Sequence, residues 1–282
     1  MTLWLTTLAM IAFAGNSLLA RLGMASGTAD PLGFTGLRLS IGAAVLALIL
    51  QLSHARKPSE ARRFAGSWAS AAALFVYALA FSLAYGRVGA AVGALVLFAA
   101  VQATMIAWGL FKGERPSLRE ALGLAAAFAA FVWWLTPGLT RPDPLGTGLM
   151  VLSGAAWGVY SLRGRGAGDP MRATAGNFIR TLPLALPLIA VSAIKGGMTG
   201  EGILIAAASG GITSALGYIL WYRALGGLTA LSAAIVQLCV PVIAALGAVL
   251  FLSETLGPRF VLAGLIVIGG IAFALLSKRR AI

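Results

Sequence analysis

Of 282 residues, 60% are hydrophobic and 10% charged, against about 25% charged in a water-soluble domain, so water is not the solvent for most of this surface. The net charge of +13 does not point to nucleic acid, because the basic residues sit in short loops between apolar runs. A single cysteine, Cys239, and a single histidine, His54, exclude an intramolecular disulfide and a thiol or imidazole metal cluster, and no metal or cofactor is expected.

Hydropathy predicts ten spans, each of the roughly 20 residues needed to cross the hydrocarbon core. The first, Leu3 to Ala20, has no Lys or Arg ahead of it and further spans follow at once, so it reads as a retained helix and not a cleaved signal. Asn16 lies in its mid-region, where hydrocarbon penalises an unpaired amide. The second span, Leu32 to Leu52, carries Arg38, and the third, Trp68 to Tyr85, places Tyr77 and Phe81 on one face. Gln102 lies within the fourth, Gly89 to Phe111, and Trp133 and Trp134 close the fifth, Leu118 to Leu135, as interfacial belt residues. A proline-rich connector, Thr136 to Pro144, precedes the sixth span, Leu145 to Leu162, in which Trp157 and Tyr160 lie close to Gly154 and Gly158.

Arg180 falls inside the seventh span, Ala173 to Ile194, and Tyr218 and Trp221 inside the eighth, Ile203 to Tyr222, whose last residue reads as belt. The ninth, Leu228 to Leu252, holds Gln237 and Cys239, and the tenth is Val261 to Leu276. The runs are continuously apolar and do not alternate, which indicates helices and not barrel strands. An all-α integral membrane fold follows.

The loops alternate in charge. With the N-terminus inside, fourteen Lys and Arg residues fall in the cytoplasmic loops and tail and five (Arg21, Arg87, Arg141, Lys195 and Arg259) on the opposite face. This bias places both termini in the cytoplasm, in the cell membrane. The chain also repeats itself: at an offset of 140, Gly86 falls on Gly226, Phe111 on Phe251, Glu114 on Glu254 and Arg119 on Arg259. Residues 1–139 and 140–282 are thus two halves of five helices each. An odd helix count inverts the second half, and an inverted repeat implies a site near the midplane between the halves, served by alternating access.

Pro241-Val242, followed thirteen residues later by Glu254 at the end of the ninth helix, resembles the pattern of the EamA-like ten-helix exporters of the drug/metabolite transporter superfamily. The first half has Phe111 and Glu114 but Val101-Gln102 in place of Pro-Val, so the fourth helix is not expected to bend as the ninth should. The resemblance implies an inverted-repeat bundle around a central cavity and export of amino acids or other small metabolites. Its aromatic amino acid exporters are the subgroup that the cavity candidates favour.

Those substrate-binding candidates are Asn16, Tyr77, Phe81, Gln102, Trp157, Tyr160, Tyr218, Trp221 and Gln237, which together offer a flat apolar wall and a polar grip for an amphipathic molecule. For the deep residues Asn16, Tyr77, Trp157 and Trp221, lipid or helix contact stands as the alternative to cavity lining, and interhelical hydrogen bonding is the plainer role of the two glutamines. Arg38 and Arg180 read as gate or anchor. Each lies about 9 Å deep at 1.5 Å per residue, within snorkelling reach. Ser82, Thr104, Ser153, Thr213 and Ser214 can bond to their own helix backbone. No acid lies clearly within a span: Asp30, Glu60, Glu120, Asp143, Asp169 and Glu201 sit in loops, and Glu114 and Glu254 at helix ends. A carrier without a midplane proton-binding carboxylate, running as an exporter or facilitator, is the expectation. A multidrug or nucleotide-sugar carrier is the alternative; an enzyme lacks a catalytic cluster, and a channel lacks a filter repeat or charge rings.

Overall fold

A computed structural model describes residues 2–54, 65–85, 87–88, 90–138, 143–252 and 257–276. All regular structure among them is helical, and ten helical segments are long and apolar enough to cross a membrane. In chain order they are α1 (Thr2–Ala25), α2 (Pro31–His54), α3 (Trp68–Tyr85), α4 (Ala90–Phe111), α5 (Leu118–Leu135), α6 (Pro144–Gly164), α7 (Pro170–Ile194), α8 (Gly200–Leu225), α9 (Ala230–Phe251) and α10 (Pro258–Leu276).

Several helices run past their apolar stretches because the loops supply caps that hydropathy does not register. Asp30, Asp143 and Asp169 accept hydrogen bonds from the first free amides of α2, α6 and α7. Ser117 and Glu120 form a reciprocal capping box on α5. Proline at the first position of α6 and α7 has no amide to leave unpaired.

Two helices are irregular. Ser209–Leu216 of α8 winds as a π-helix between two α-helical segments of nine residues each, Gly200–Ala208 and Gly217–Leu225. In α9 the α-helix stops at Gln237 and restarts at Cys239. Pro241 accounts for the second break, since its ring clashes with the carbonyl four residues back, that of Gln237, and it has no amide to donate there. α4, with Val101 at the matching position, is a continuous helix.

Packing follows the repeat. α2 lies along α7 and α5 along α10; the contacts of α6 with α3 and α4 are mirrored by those of α1 with α8 and α9. Exchanging the first five helices for the last five maps this set of neighbours onto itself, as a pseudo-twofold axis requires. The loops sort into two faces. On one, Arg163 reaches Ser67 and Ser70, Arg165 pairs with Glu114, and Gly227 lies against Thr2. On the other, Thr199 bonds to Thr28, Ser192 to Asp30, Arg87 approaches Asp143 and Arg259 bonds to the Trp133 carbonyl. Successive helices therefore run in opposite directions.

Glycines set the closest approaches. A Cβ on Gly270 of α10 would lie 2.6 Å from the Gly123 carbonyl oxygen of α5, and Gly123 is equally hemmed in by Gly270. Gly210, in the π-helical stretch, abuts the backbone of Arg38. Gly210-Gly211 and Gly269-Gly270 thus include one close-packing residue each.

Candidate functional site

A cavity of about 40 Å³ lies where α1, α3, α4, α6 and α9 meet, walled by Phe13, Asn16, Tyr77, Phe81, Trp157 and Gln237 together with Ser17, Leu97, Phe98, Val101 and Val240. Every one of these residues falls in the interior of its helix and none at an end. Five of the nine residues that the sequence offers as substrate-binding candidates (Asn16, Tyr77, Phe81, Trp157 and Gln237) line this one space.

Its polar groups are held by neighbours and not by lipid. The Trp157 indole donates to the Gln237 carbonyl oxygen at 2.6 Å, and the Gln237 amide donates to the Ala233 carbonyl at 2.9 Å and Met105 sulfur at 3.2 Å. Asn16 accepts from the Ser209 hydroxyl at 2.7 Å and Thr213 hydroxyl at 3.4 Å. The break in α9 puts Gln237 and Val240 on the wall on either side of it. The π-helical part of α8 brings Ser209 and Thr213 to Asn16.

Behind the wall the aromatics continue as one cluster. Phe13 meets Trp157, Tyr218 and Trp221 edge-on at 5.1, 5.7 and 5.6 Å between ring centroids, the favoured arrangement for paired rings. Trp157 also lies 4.8 Å from Tyr77 and 5.0 Å from Tyr218, and Tyr160 lies 5.0 Å from Tyr222. Tyr160, Tyr218 and Trp221 are therefore second-row residues, fully buried behind the cavity and not on its wall. The Trp221 indole donates to the Ser161 hydroxyl at 3.0 Å.

Gln102 does not face the cavity; its amide donates to the Ala234 carbonyl at 2.7 Å, tying α4 to α9. Tyr222, read as interfacial belt, is buried: its hydroxyl donates to the Tyr160 carbonyl at 3.2 Å. It sits one turn from the end of α8, but α6 and α7 cover that turn. Trp133 fits the belt reading, since it is exposed and carries the Arg259 guanidinium over its ring at 4.5 Å.

The two arginines part company. Arg180 donates to the carbonyls of Ala65 and Gly176, both at 2.9 Å, an anchor between α7 and the approach to α3. Arg38 does not snorkel. It is 1% exposed, and donates through Nε to Ser214 at 2.9 Å and through Nη2 to the hydroxyls of Tyr218 at 2.6 Å and Tyr77 at 3.4 Å. Helix α2 is covered here by α7 and by the π-helical stretch of α8, which closes the path to the surface.

Ser214 and Ser153, expected to satisfy themselves, instead make interhelical bonds, to Arg38 and to the Tyr77 carbonyl. Ser82, Thr104 and Thr213 do bond to their own helices. Among the described residues Glu120 and Glu201, expected in loops, lie in the first turns of α5 and α8, where Ser117 and Thr199 cap the chain; Asp30, Asp143 and Asp169 precede their helices, and Glu114 lies three residues past α4. Glu60 and Glu254 fall outside the described residues. No group of three or more metal-ligating side chains occurs among the described residues.

A ten-helix bundle with exchanged halves and a buried aromatic and amide cavity between them is the build of a membrane carrier for small molecules. Residues 144–276 match the EamA-like transporter family. The uncharacterized protein PA1977 of Pseudomonas aeruginosa is 49% identical over 277 residues, covering 98% of this chain and 95% of its own length. A solved crystal structure at 19% identity superposes with a TM-score of 0.75 over 97% of this chain and 99% of its own, a likeness of fold. The chain belongs to the EamA-like transporter family, and is a multi-pass membrane protein.

Proposed function

We propose that this transporter moves small amphipathic metabolites, amino acids first and neutral or aromatic ones among them, by alternating access, as an exporter or facilitator in the cytoplasmic membrane. The observation that carries the reading is the cavity between the halves, lined by the rings of Phe13, Tyr77, Phe81 and Trp157 and by two amides, those of Asn16 and Gln237. Aromatic faces suit an apolar side chain, and amides suit the polar end of the same molecule. Substrate contact belongs to Asn16, Tyr77, Phe81, Trp157 and Gln237, with Tyr160, Tyr218 and Trp221 supporting them.

A space of about 40 Å³ holds about three waters at 10–15 Å³ each, so substrate enters only when the halves move. Residues 1–139 and 140–282 are the units that move, each able to take the shape of the other. The excess of basic residues on the face carrying the N-terminus supports cytoplasmic termini. Since the described acids lie at helix starts or in loops, coupling through a midplane carboxylate is not part of the reading.

The test is uptake and counterflow in proteoliposomes with a panel of amino acids, with and without a proton gradient. Saturable flux of neutral amino acids in both conditions is expected. Flux of no amino acid would sink the substrate assignment, and strict dependence on a pH gradient would sink the facilitator.

A further inference from the structure

Arg38 keeps its charge at any pH that proteins experience, yet it is buried in a membrane-spanning helix with no carboxylate of the described residues paired to it. The ion pairs among the described residues are Arg87–Asp143, Arg165–Glu114 and Arg172–Asp169. Its neighbours are three neutral hydroxyls, those of Ser214, Tyr218 and Tyr77. A buried cation left this way is expensive, and within a membrane such a residue marks a ligand or transport path.

The donors are not all used. Nε and Nη2 are taken at short range by Ser214 and Tyr218, but buried Nη1 has no hydrogen-bond partner, and Nη2 reaches Tyr77 only at 3.4 Å. The Nη1/Nη2 edge is thus the open side of the guanidinium fork, and a fork edge is the geometry that takes both oxygens of a carboxylate. Tyr77 stands between this edge and the cavity, with its ring 5.4 Å from the guanidinium carbon and its side chain on the cavity wall. Turning that one ring would both join Arg38 to the cavity and widen it. Gly210 packs closely on the Arg38 backbone, and the bonds of Nε to Ser214 and Nη2 to Tyr218 hold the guanidinium independently of Tyr77.

We propose that the Nη1/Nη2 edge of Arg38 is an anion subsite of the transport path, behind Tyr77, which takes the carboxylate of the substrate. This rests on the reading above of a carrier whose site lies between the halves, and it narrows the cargo to molecules that pair a carboxylate with an apolar body.

The test uses the purified full chain in detergent, with ligand-induced thermal stabilisation and counterflow as readouts, and three matched compounds: phenylalanine, phenylalaninamide and 3-phenylpropionate. Stabilisation by the compounds bearing a carboxylate and not by the amide is expected. R38Q should weaken that response at least tenfold, and R38K, which keeps the charge without the fork, by less. Response to 3-phenylpropionate alone, lost in R38Q, upholds the anion subsite while removing the amino acid reading. Equal response to amide and acids, response to none of the three, or an R38Q response equal to wild type overturns the subsite. So does stabilisation by chloride that the carboxylates do not displace. R38M provides the folding control: deleting an uncompensated buried charge should leave the melting temperature no lower than wild type. A fall in R38M and R38Q together, with ligand response intact, marks a structural anchor and overturns the proposal.

Discussion

Trp157 is the side chain on which the cavity wall depends, because its indole is hydrogen-bonded to Gln237 while its ring touches Phe13, Tyr77 and Tyr218. Trp157→Phe keeps a flat ring but leaves the Gln237 oxygen without its donor, a loss of about 1–3 kcal/mol for a buried acceptor. Without that donor Gln237 is no longer held in position on the wall, and half-saturation for transport should rise about tenfold, equivalent to about 1.4 kcal/mol of binding, measured by counterflow in proteoliposomes. Trp221→Ala empties a fully buried position and should cost about 3–5 kcal/mol of stability, seen as a lower melting temperature, whereas Trp133→Ala at the exposed belt should change transport little. Equal transport losses in all three would refute the assignment of the cavity. At this scale the sequence was legible where a residue was chemically out of place: an amide, an indole or an arginine inside an apolar run must have a partner. Phe13, Phe98 and Val101 line the same space and were illegible, because an apolar residue in an apolar helix looks the same against a cavity as against lipid. Ser214 was illegible for another reason. A serine hydroxyl can satisfy itself locally, and only the fold shows that Arg38 is there to use it.

Helix breaks put the polar groups of the cavity in place. In α9 the cause stands in the sequence, since Pro241 forbids the hydrogen bond to the Gln237 carbonyl and frees the chain to turn Gln237 and Val240 to the cavity. In α8 there is no proline. The π-helical stretch from Ser209 to Leu216 is sustained by its seat on α2 and its bonds to Asn16 and Arg38, long-range contacts that no local pattern encodes. Such wide turns concentrate at functional sites, which fits its place here. The pair α5 and α10 is the contrasting case, for it contributes nothing to the described cavity wall and packs through Gly123 against Gly270. Gly270→Val would force two backbones apart, so a loss of about 1–3 kcal/mol is expected from overpacking. The predicted signature is a lower melting temperature with an unchanged half-saturation concentration; a changed substrate affinity would show that α5 and α10 belong to the moving core and not to its frame.

At the scale of the whole molecule, the alternating access proposed here needs something that holds one face shut and lets go. On the face that carries the N-terminus, the buried rings of Tyr160, Trp221 and Tyr222 lie between the cavity and the loops. Above them, Glu114 beyond α4 accepts hydrogen bonds from the amides of Ala230 and Leu231, the first residues of α9, at 3.0 and 3.1 Å, and pairs with Arg165 of the α6–α7 loop at 3.1 Å. One carboxylate thus ties together both halves. Partial burial pushes its pKa up, but the two amides and Arg165 outweigh burial and hold it below the ordinary glutamate range, as expected for a carboxylate that accepts backbone bonds at a helix N-terminus. A depressed pKa means that the closing contribution is fully present above the ordinary value of about 4.3 and is lost as pH falls through the lower, folded value. Hydrogen exchange at the start of α9 should therefore stay slow from neutral pH down to about pH 5 and quicken only below the ordinary glutamate value, after correction for the intrinsic rate. Glu114→Ala should quicken it at neutral pH and favour the state open on this face, with faster flux where opening limits the rate. Exchange that accelerates between neutral pH and pH 5 in the wild type, or that is unchanged in Glu114→Ala, would show that this contact does not hold the face closed, and the clasp would then have to lie in the aromatic rings beneath it.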